Sequence, residues 1–139
     1  METNQLTETA GVVISQDQLL EHWQGHRRLT RKVIETFPED KIFSYSIRGM
    51  RPFSELIMEM IDLAGGGISG LVSNLWKSMN DFGHVSGNLP KTKEEILKQW
   101  DNVTTQINAL WPQISRERFQ EVIMALVNMK GQLILQFYI

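Results

Sequence analysis

Two four-residue signatures, Ser15-Gln16-Asp17-Gln18 and Thr92-Lys93-Glu94-Glu95, constrain this chain more than any other feature. In each, the first hydroxyl can accept a hydrogen bond from an otherwise unpaired amide of a helix's first turn. The Gln or Glu three residues later reaches back to the amide of the capping residue. Such reciprocal caps belong where helices begin, and apolar stripes of helical period follow both. After Ser15, the residues Leu19, Trp23, His26, Thr30, Val33 and Phe37 recur every three or four positions up to Pro38, whose ring disfavours helical geometry in the residue before it. After Thr92, Ile96, Trp100, Val103, Ile107 and Leu110 continue to the Trp111-Pro112 stop.

Between these two helices the pattern predicts two more. Pro52 suits the first turn of a helix, where a missing amide costs nothing, and Phe53, Leu56, Ile57, Met60, Leu63 and Ala64 supply its stripe. Gly65-Gly66-Gly67 then interrupts, at about 1 kcal/mol per glycine relative to alanine, so a turn or break is expected there. From Ile68 through Leu71, Val72, Leu75, Trp76 and Met79 the spacing implies a third helix, followed by a loop from Asn80 to Lys91. Phe119, Val122, Ile123 and Leu126 suggest a short helical segment, with partial irregularity over 115–129 as the other reading. Leu133 to Ile139 begins a last helix. No apolar run approaches the 18 residues of a membrane span. The expected fold is all-α: a polar arm over 1–14, then one helical-bundle domain over 15–139.

The last expected helix ends at Phe137-Tyr138-Ile139 with no cap, charge or turn residue to satisfy its final carbonyls. The expectation is therefore a bundle cut short at its C-terminal end.

Composition excludes some function classes. The chain has 139 residues, no cysteine and a net charge of -2. Thiolate catalysis and cysteine metal sites are ruled out, and no overall attraction to nucleic acid or anionic lipid is expected. A cytoplasmic protein with neither nucleic-acid nor membrane partners is the reading. No phosphate-cradling loop, dinucleotide fingerprint, HExxH or CxxC occurs, so no nucleotide cofactor is expected.

A few residues remain as candidates for chemistry. His22 and His26, one turn apart, point the same way and can share a divalent metal if another helix adds a ligand; otherwise they are the edge of a helical stripe. Glu55, Glu59 and Asp62 form an acidic ridge. Glu59 lies ~60° from Leu56 and ~40° from Leu63 around a 3.6-residue helix, at the margin of the buried stripe. Two readings of it stand, as a metal ligand or general base in an interhelical cleft, or as a carboxylate that is solvated or paired with an arginine, Arg51 or Arg48. His84, in a glycine-rich loop, reads as a surface residue. Arg27, Arg28, Arg31 and Lys32 read as a solvated charged face, and the four tryptophans as core or rim anchors.

Taken in order, several segments resemble the DinB/YfiT-like metalloenzyme family. They are His22-Trp23-Gln24-Gly25-His26-Arg27-Arg28-Leu29-Thr30, Phe37-Pro38-Glu39-Asp40, Gly49-Met50-Arg51-Pro52-Phe53-Ser54-Glu55-Leu56 and Gly70-Leu71 through Trp76. Arg116-Glu117-Arg118-Phe119-Gln120-Glu121-Val122 looks like the approach to that family's last core helix. The resemblance implies a four-helix bundle running up-down-down-up around a divalent metal (Zn, Ni or Mn), with one ligand on helix two and two on the last helix. Under it, Glu59 takes the helix-two ligand position. In one register the chain stops before the other two ligands; in the other, Met129-Lys130-Gly131-Gln132 aligns with the family's His-Arg-Gly-Gln, and Met129 and Ala125 stand where ligands belong. The glycine run departs from the family pattern.

The implied function is a divalent-metal-dependent transferase, acting on a small molecule such as a thiol, or a hydrolase. A metal-bound thiol loses its proton near neutral pH, which makes the transferase physically sensible. The alternative is a metal-free bundle that binds a small ligand or forms a homodimer, with Met50, Met58, Met60 and Met79 as an adaptable lining.

Overall fold

The computed structural model describes residues 14–120, 122–127 and 133–138. The arm over 1–13 and the Met129-Lys130-Gly131-Gln132 segment lie outside the described residues. Three long helices form the body. Helix α1, Gln16–Thr36, starts at the Ser15 capping box and ends as Phe37 turns extended before Pro38. Helix α2 spans Phe53–Ser73, helix α3 is the single turn Gly83–Ser86, and helix α4, Lys93–Leu110, starts at the Thr92 capping box.

The glycine run does not break the chain. Helix α2 continues through Gly65-Gly66-Gly67 to Ser73, so the separate helix expected from Ile68 to Met79 does not form. Tertiary contact explains the glycines. A Cβ on Gly70 would lie 2.2 Å from Cε3 of Trp76, and one on Gly66 would lie 2.8 Å from Cε1 of Phe82. The chain after α2 therefore lies flat against the helix, and the loss of helix propensity is offset by aromatic packing. Asn74 stops the helix in the left-handed conformation at φ 59°, its amide bonded to the Gly70 carbonyl. Leu75 is then left 78% exposed.

Helix α4 sits between the other two long helices. Gln24 of α1 reaches Thr104 and Asn108, Arg31 reaches Asp101, and the Lys93 ammonium meets the Glu35 and Phe37 carbonyls, so α1 and α4 run antiparallel. Gly65 lies against Val103 and Ser69 bonds Gln106, so α2 runs parallel to α4. The fully buried isoleucines Ile34, Ile42, Ile57, Ile68, Ile96 and Ile107 fill the space between them. Ile42 comes from the 38–52 connector, which is tied down by the Ser54 amide on the Ile42 carbonyl at 2.9 Å.

The stripe read from the first helix is only partly the buried one. Gln24, Arg27 and Ile34 are buried, whereas His26 is exposed and Val33 is 51% exposed. Helix α1 is turned so that its polar residues meet α4, because Arg27 and Gln24 find acceptors there that no apolar residue could use.

The described body is helical, as expected, but the C-terminal part departs from the expected last helix. A 3₁₀ turn at Trp111–Gln113 follows α4, another spans Glu117–Gln120, and the chain then forms an antiparallel hairpin of β1, Val122–Val127, and β2, Leu133–Tyr138. Val122 pairs with Tyr138 and Val127 with Leu133, with an irregularity between Met124 and Val127. Short apolar runs do not distinguish helix from strand by period alone, and β-branched and aromatic residues favour the pleated conformation. Among the described residues there is no fourth long helix.

Candidate functional site

The structure separates the residues that the sequence nominated. His22 and His26 stand one turn apart with ring centroids 4.6 Å from each other and their planes crossed at 84°. Both are exposed, in a shallow hollow of about 520 Å³ whose described lining comes from α1 alone, with Gln18, Glu21, Gly25 and Leu29. The neighbouring Glu21 is engaged by Arg28. Glu59 forms an ion pair with Arg51, one of the two arginines that its second reading named as a possible partner. It meets neither histidine. Among the described residues no three His, Asp or Glu side chains converge on a point that could hold a metal ion. With Glu59 engaged by a guanidinium and the His pair on an outer face, these residues do not fit the metal centre that the resemblance implies.

The structure brings together a different pair. His84, expected on the surface, has only 5% of its side chain exposed, and its Nδ1 lies 2.7 Å from Oδ2 of Asp62. The same oxygen accepts the His84 backbone amide at 2.9 Å. Phe82 stacks on the imidazole with ring centroids 5.7 Å apart. This double bond to one carboxylate oxygen staples the start of α3 to the middle of α2. Nothing in the sequence pointed to the pairing, since the two residues are 22 positions apart and the crossover between them has no periodic pattern. Asp62 looked like the solvated end of an acidic ridge.

Next to this staple lies a cavity of about 290 Å³ between α2, α4 and the 75–83 segment. Its polar lining includes Asp62, Ser69, Lys77 and Gln106, and its apolar wall is Ile61, Val103 and Phe82. Gln106 Nε2 donates to Ser69 Oγ at 2.7 Å, which leaves Gln106 Oε1 3.4 Å from where a Gly65 Cβ would stand. Gly65 is thus the floor of the cavity. Asp62 Oδ1 receives no protein donor among the described residues. Two acceptors, one of them a carboxylate oxygen, are therefore without a donor among the described residues, in a small hollow whose lining is about as polar as apolar and also carries Lys77 and Asp81.

A second polar region was also misread. Arg27, placed on a solvated face from the sequence, is 5% exposed between α1 and α4. Its Nη2 donates to the Trp100 carbonyl at 3.1 Å and to Thr104 Oγ1 at 3.2 Å, and its guanidinium lies 4.1 Å from the Trp100 ring centroid. Burial lowers it to about 10, opposed by the field of Asp101. Arg27 Nε and Gln24 Oε1 are buried without a hydrogen-bond partner. At the solvent edge Arg31 grips Asp101 through Nε at 2.7 Å and Nη2 at 2.8 Å, a fork that holds the carboxyl below its ordinary value of 3.8. Those groups join helices, and none faces the cavity.

No protein-family model matches this sequence, and no curated protein matches it either.

Proposed function

We propose that this chain is a small-molecule-binding helical domain, and that its ligand is a small organic amine held in the cavity between α2, α4 and the 75–83 segment. The observation that carries this reading is the Asp62 carboxylate, stapled by His84 through one oxygen and without a donor among the described residues on the other. An ammonium group would donate hydrogen bonds to Asp62 Oδ1 and Gln106 Oε1, while its carbon body rests on Ile61, Val103 and Phe82. Charge-assisted bonds of this kind contribute about 1.5–3 kcal/mol each, enough to select an amine over an isosteric alcohol. The volume of about 290 Å³ lies at the low end of the ~300–1,000 Å³ of small-molecule sites, which limits the ligand to a compact one.

This is the metal-free alternative of the DinB/YfiT-like reading. The directions of α1, α2 and α4 support that kinship, since they follow the up, down, down order that the resemblance implies for three of its four helices. The metal-dependent transferase or hydrolase reading has no ligand set among the described residues, and no catalytic step is derived from it.

Isothermal titration calorimetry with matched primary amines and alcohols tests the proposal. Amines are expected to bind and their alcohol counterparts to bind at least ~10-fold more weakly, the equivalent of about 1.4 kcal/mol. Gly65→Ala, which fills the floor while favouring the helix, should abolish amine binding without lowering the melting temperature. Equal binding of both series, or no amine binding up to millimolar concentration, overturns the assignment.

A further inference from the structure

The cavity beside the Asp62–His84 staple is polarised along its length. After Asn74 the chain turns back over α2: Trp76 covers Gly70, Phe82 covers Gly66 and His84 bonds Asp62, so residues 76–84 run antiparallel to the helix. Asp62 therefore lies towards one end of the cavity. Lys77, next to Trp76, lines the other end, at the level of Ser69.

The two ends offer opposite chemistry. At the first, Asp62 Oδ1 is an acceptor without a donor among the described residues, and Gln106 Oε1 follows at the level of Gly65. At the second, Ser69 Oγ accepts from Gln106 Nε2 at 2.7 Å, but its own proton meets no acceptor among the described residues. The Lys77 side chain is exposed at the mouth and forms no ion pair among the described residues, although Asp62 and Asp81 line the same cavity. Its ammonium thus stands more than 4.0 Å from either carboxylate. Asp81, also exposed, already accepts the Ser78 amide at 3.2 Å. A plain amine uses only the Asp62 end, because a second cation gains nothing from the Lys77 ammonium and is repelled by it.

We infer that the amine held in this cavity is an ω-amino acid, its ammonium on Asp62 and its carboxylate on the Lys77 ammonium and the Ser69 hydroxyl. The inference rests on the amine reading and adds a second charge to its ligand. The length of the site decides for the ω over the α class. Asp62 and Ser69 stand two turns apart on one side of α2, about 10.5 Å along its axis. Less a hydrogen bond of ~2.8 Å at each end, about 5 Å is left between the ligand's ammonium and carboxylate. Three methylene groups, at ~1.5 Å per bond in an extended zigzag, cover that distance. An α-amino acid, with a single carbon between its charged groups, is too short to engage both ends.

Isothermal titration calorimetry of the full chain with γ-aminobutyrate, glycine, butylamine and butyrate tests it. The first is expected to bind at least ~10-fold more tightly than each of the other three, as a second charge-assisted contact supplies. Lys77→Met, a change at an exposed position whose far-UV circular dichroism should match the parent chain, should reduce the preference for γ-aminobutyrate over butylamine to less than ~3-fold. Butylamine binding that γ-aminobutyrate does not exceed overturns this inference and leaves the amine reading standing. No binding of either up to millimolar concentration overturns both. Glycine or butyrate as tight as γ-aminobutyrate, or a folded Lys77→Met variant that keeps the full preference, overturns the inference as well.

Discussion

Helix α4 meets its two long neighbours through opposite chemistries. Towards α1 it offers the Trp100 carbonyl, Thr104 and Asn108 to Arg27 and Gln24, a seam of buried polar groups in which two polar atoms stay unpaired. Towards α2 it offers Val103 and Ile107 to a side carrying Ile61, Gly65 and Ile68, with Ser69–Gln106 as a polar link. The apolar interface gains stability from area removed from water. The polar seam gains little from burial, because desolvating a guanidinium offsets much of what its hydrogen bonds return. It instead sets the register and rotation of α1, since Arg27 finds acceptors in one position only. That rotation in turn leaves the Val33 side of α1 uncovered.

Four substitutions sharpen this contrast, in order of expected effect. On the apolar side, Ile68→Ala removes a fully buried side chain and should cost about 2–5 kcal/mol of unfolding free energy in urea titrations. A loss below ~1 kcal/mol would show that α2 does not bear on α4 as described. On the polar side the outcome should depend on what replaces the arginine. Arg27→Ala, which leaves a void and strands the Thr104 and Trp100 acceptors, should cost about 2–4 kcal/mol, whereas Arg27→Met, of similar length and apolar, should stay within ~1 kcal/mol of the parent chain or exceed it. Equal losses for the two would mean that the ion itself stabilises the seam.

The smallest effect concerns the exposed edge of the seam. Arg31's hydrogen bonds lower the Asp101 carboxyl in the folded chain, so on acidification the unfolded chain takes up its proton first. The stability contributed by the pair is complete above the ordinary carboxylate value of 3.8 and is lost as pH falls through the lower folded value. Asp101→Asn should therefore flatten the acid limb of the stability profile by less than ~1 kcal/mol, because the carboxylate is half exposed and screened. An unchanged acid limb would remove the pair from the account.

Much of the helical body could be read from local chemistry. Both capping boxes form as expected, α4 follows its stripe from Ile96 to Ile107, and Pro38 ends α1, because caps, period and proline act within a few residues of themselves. The glycine run, the hairpin and the sites were not legible in this way. Local propensity argued for a break at Gly65-Gly66-Gly67, but Trp76 and Phe82, brought back by the crossover, needed the space that glycine leaves. The apolar runs after Gln120 were expected to be helical, and pairing of Val122 with Tyr138 makes them strands. Asp62 and His84, like Arg27 and Trp100, became partners only once packing placed distant segments side by side. Sequence alone therefore determined where α1 and α4 start and stop and where α2 starts. Tertiary structure decided which face each helix buries, and so which carboxylate is left facing a cavity, because burial and long-range pairing depend on contacts that no local pattern encodes.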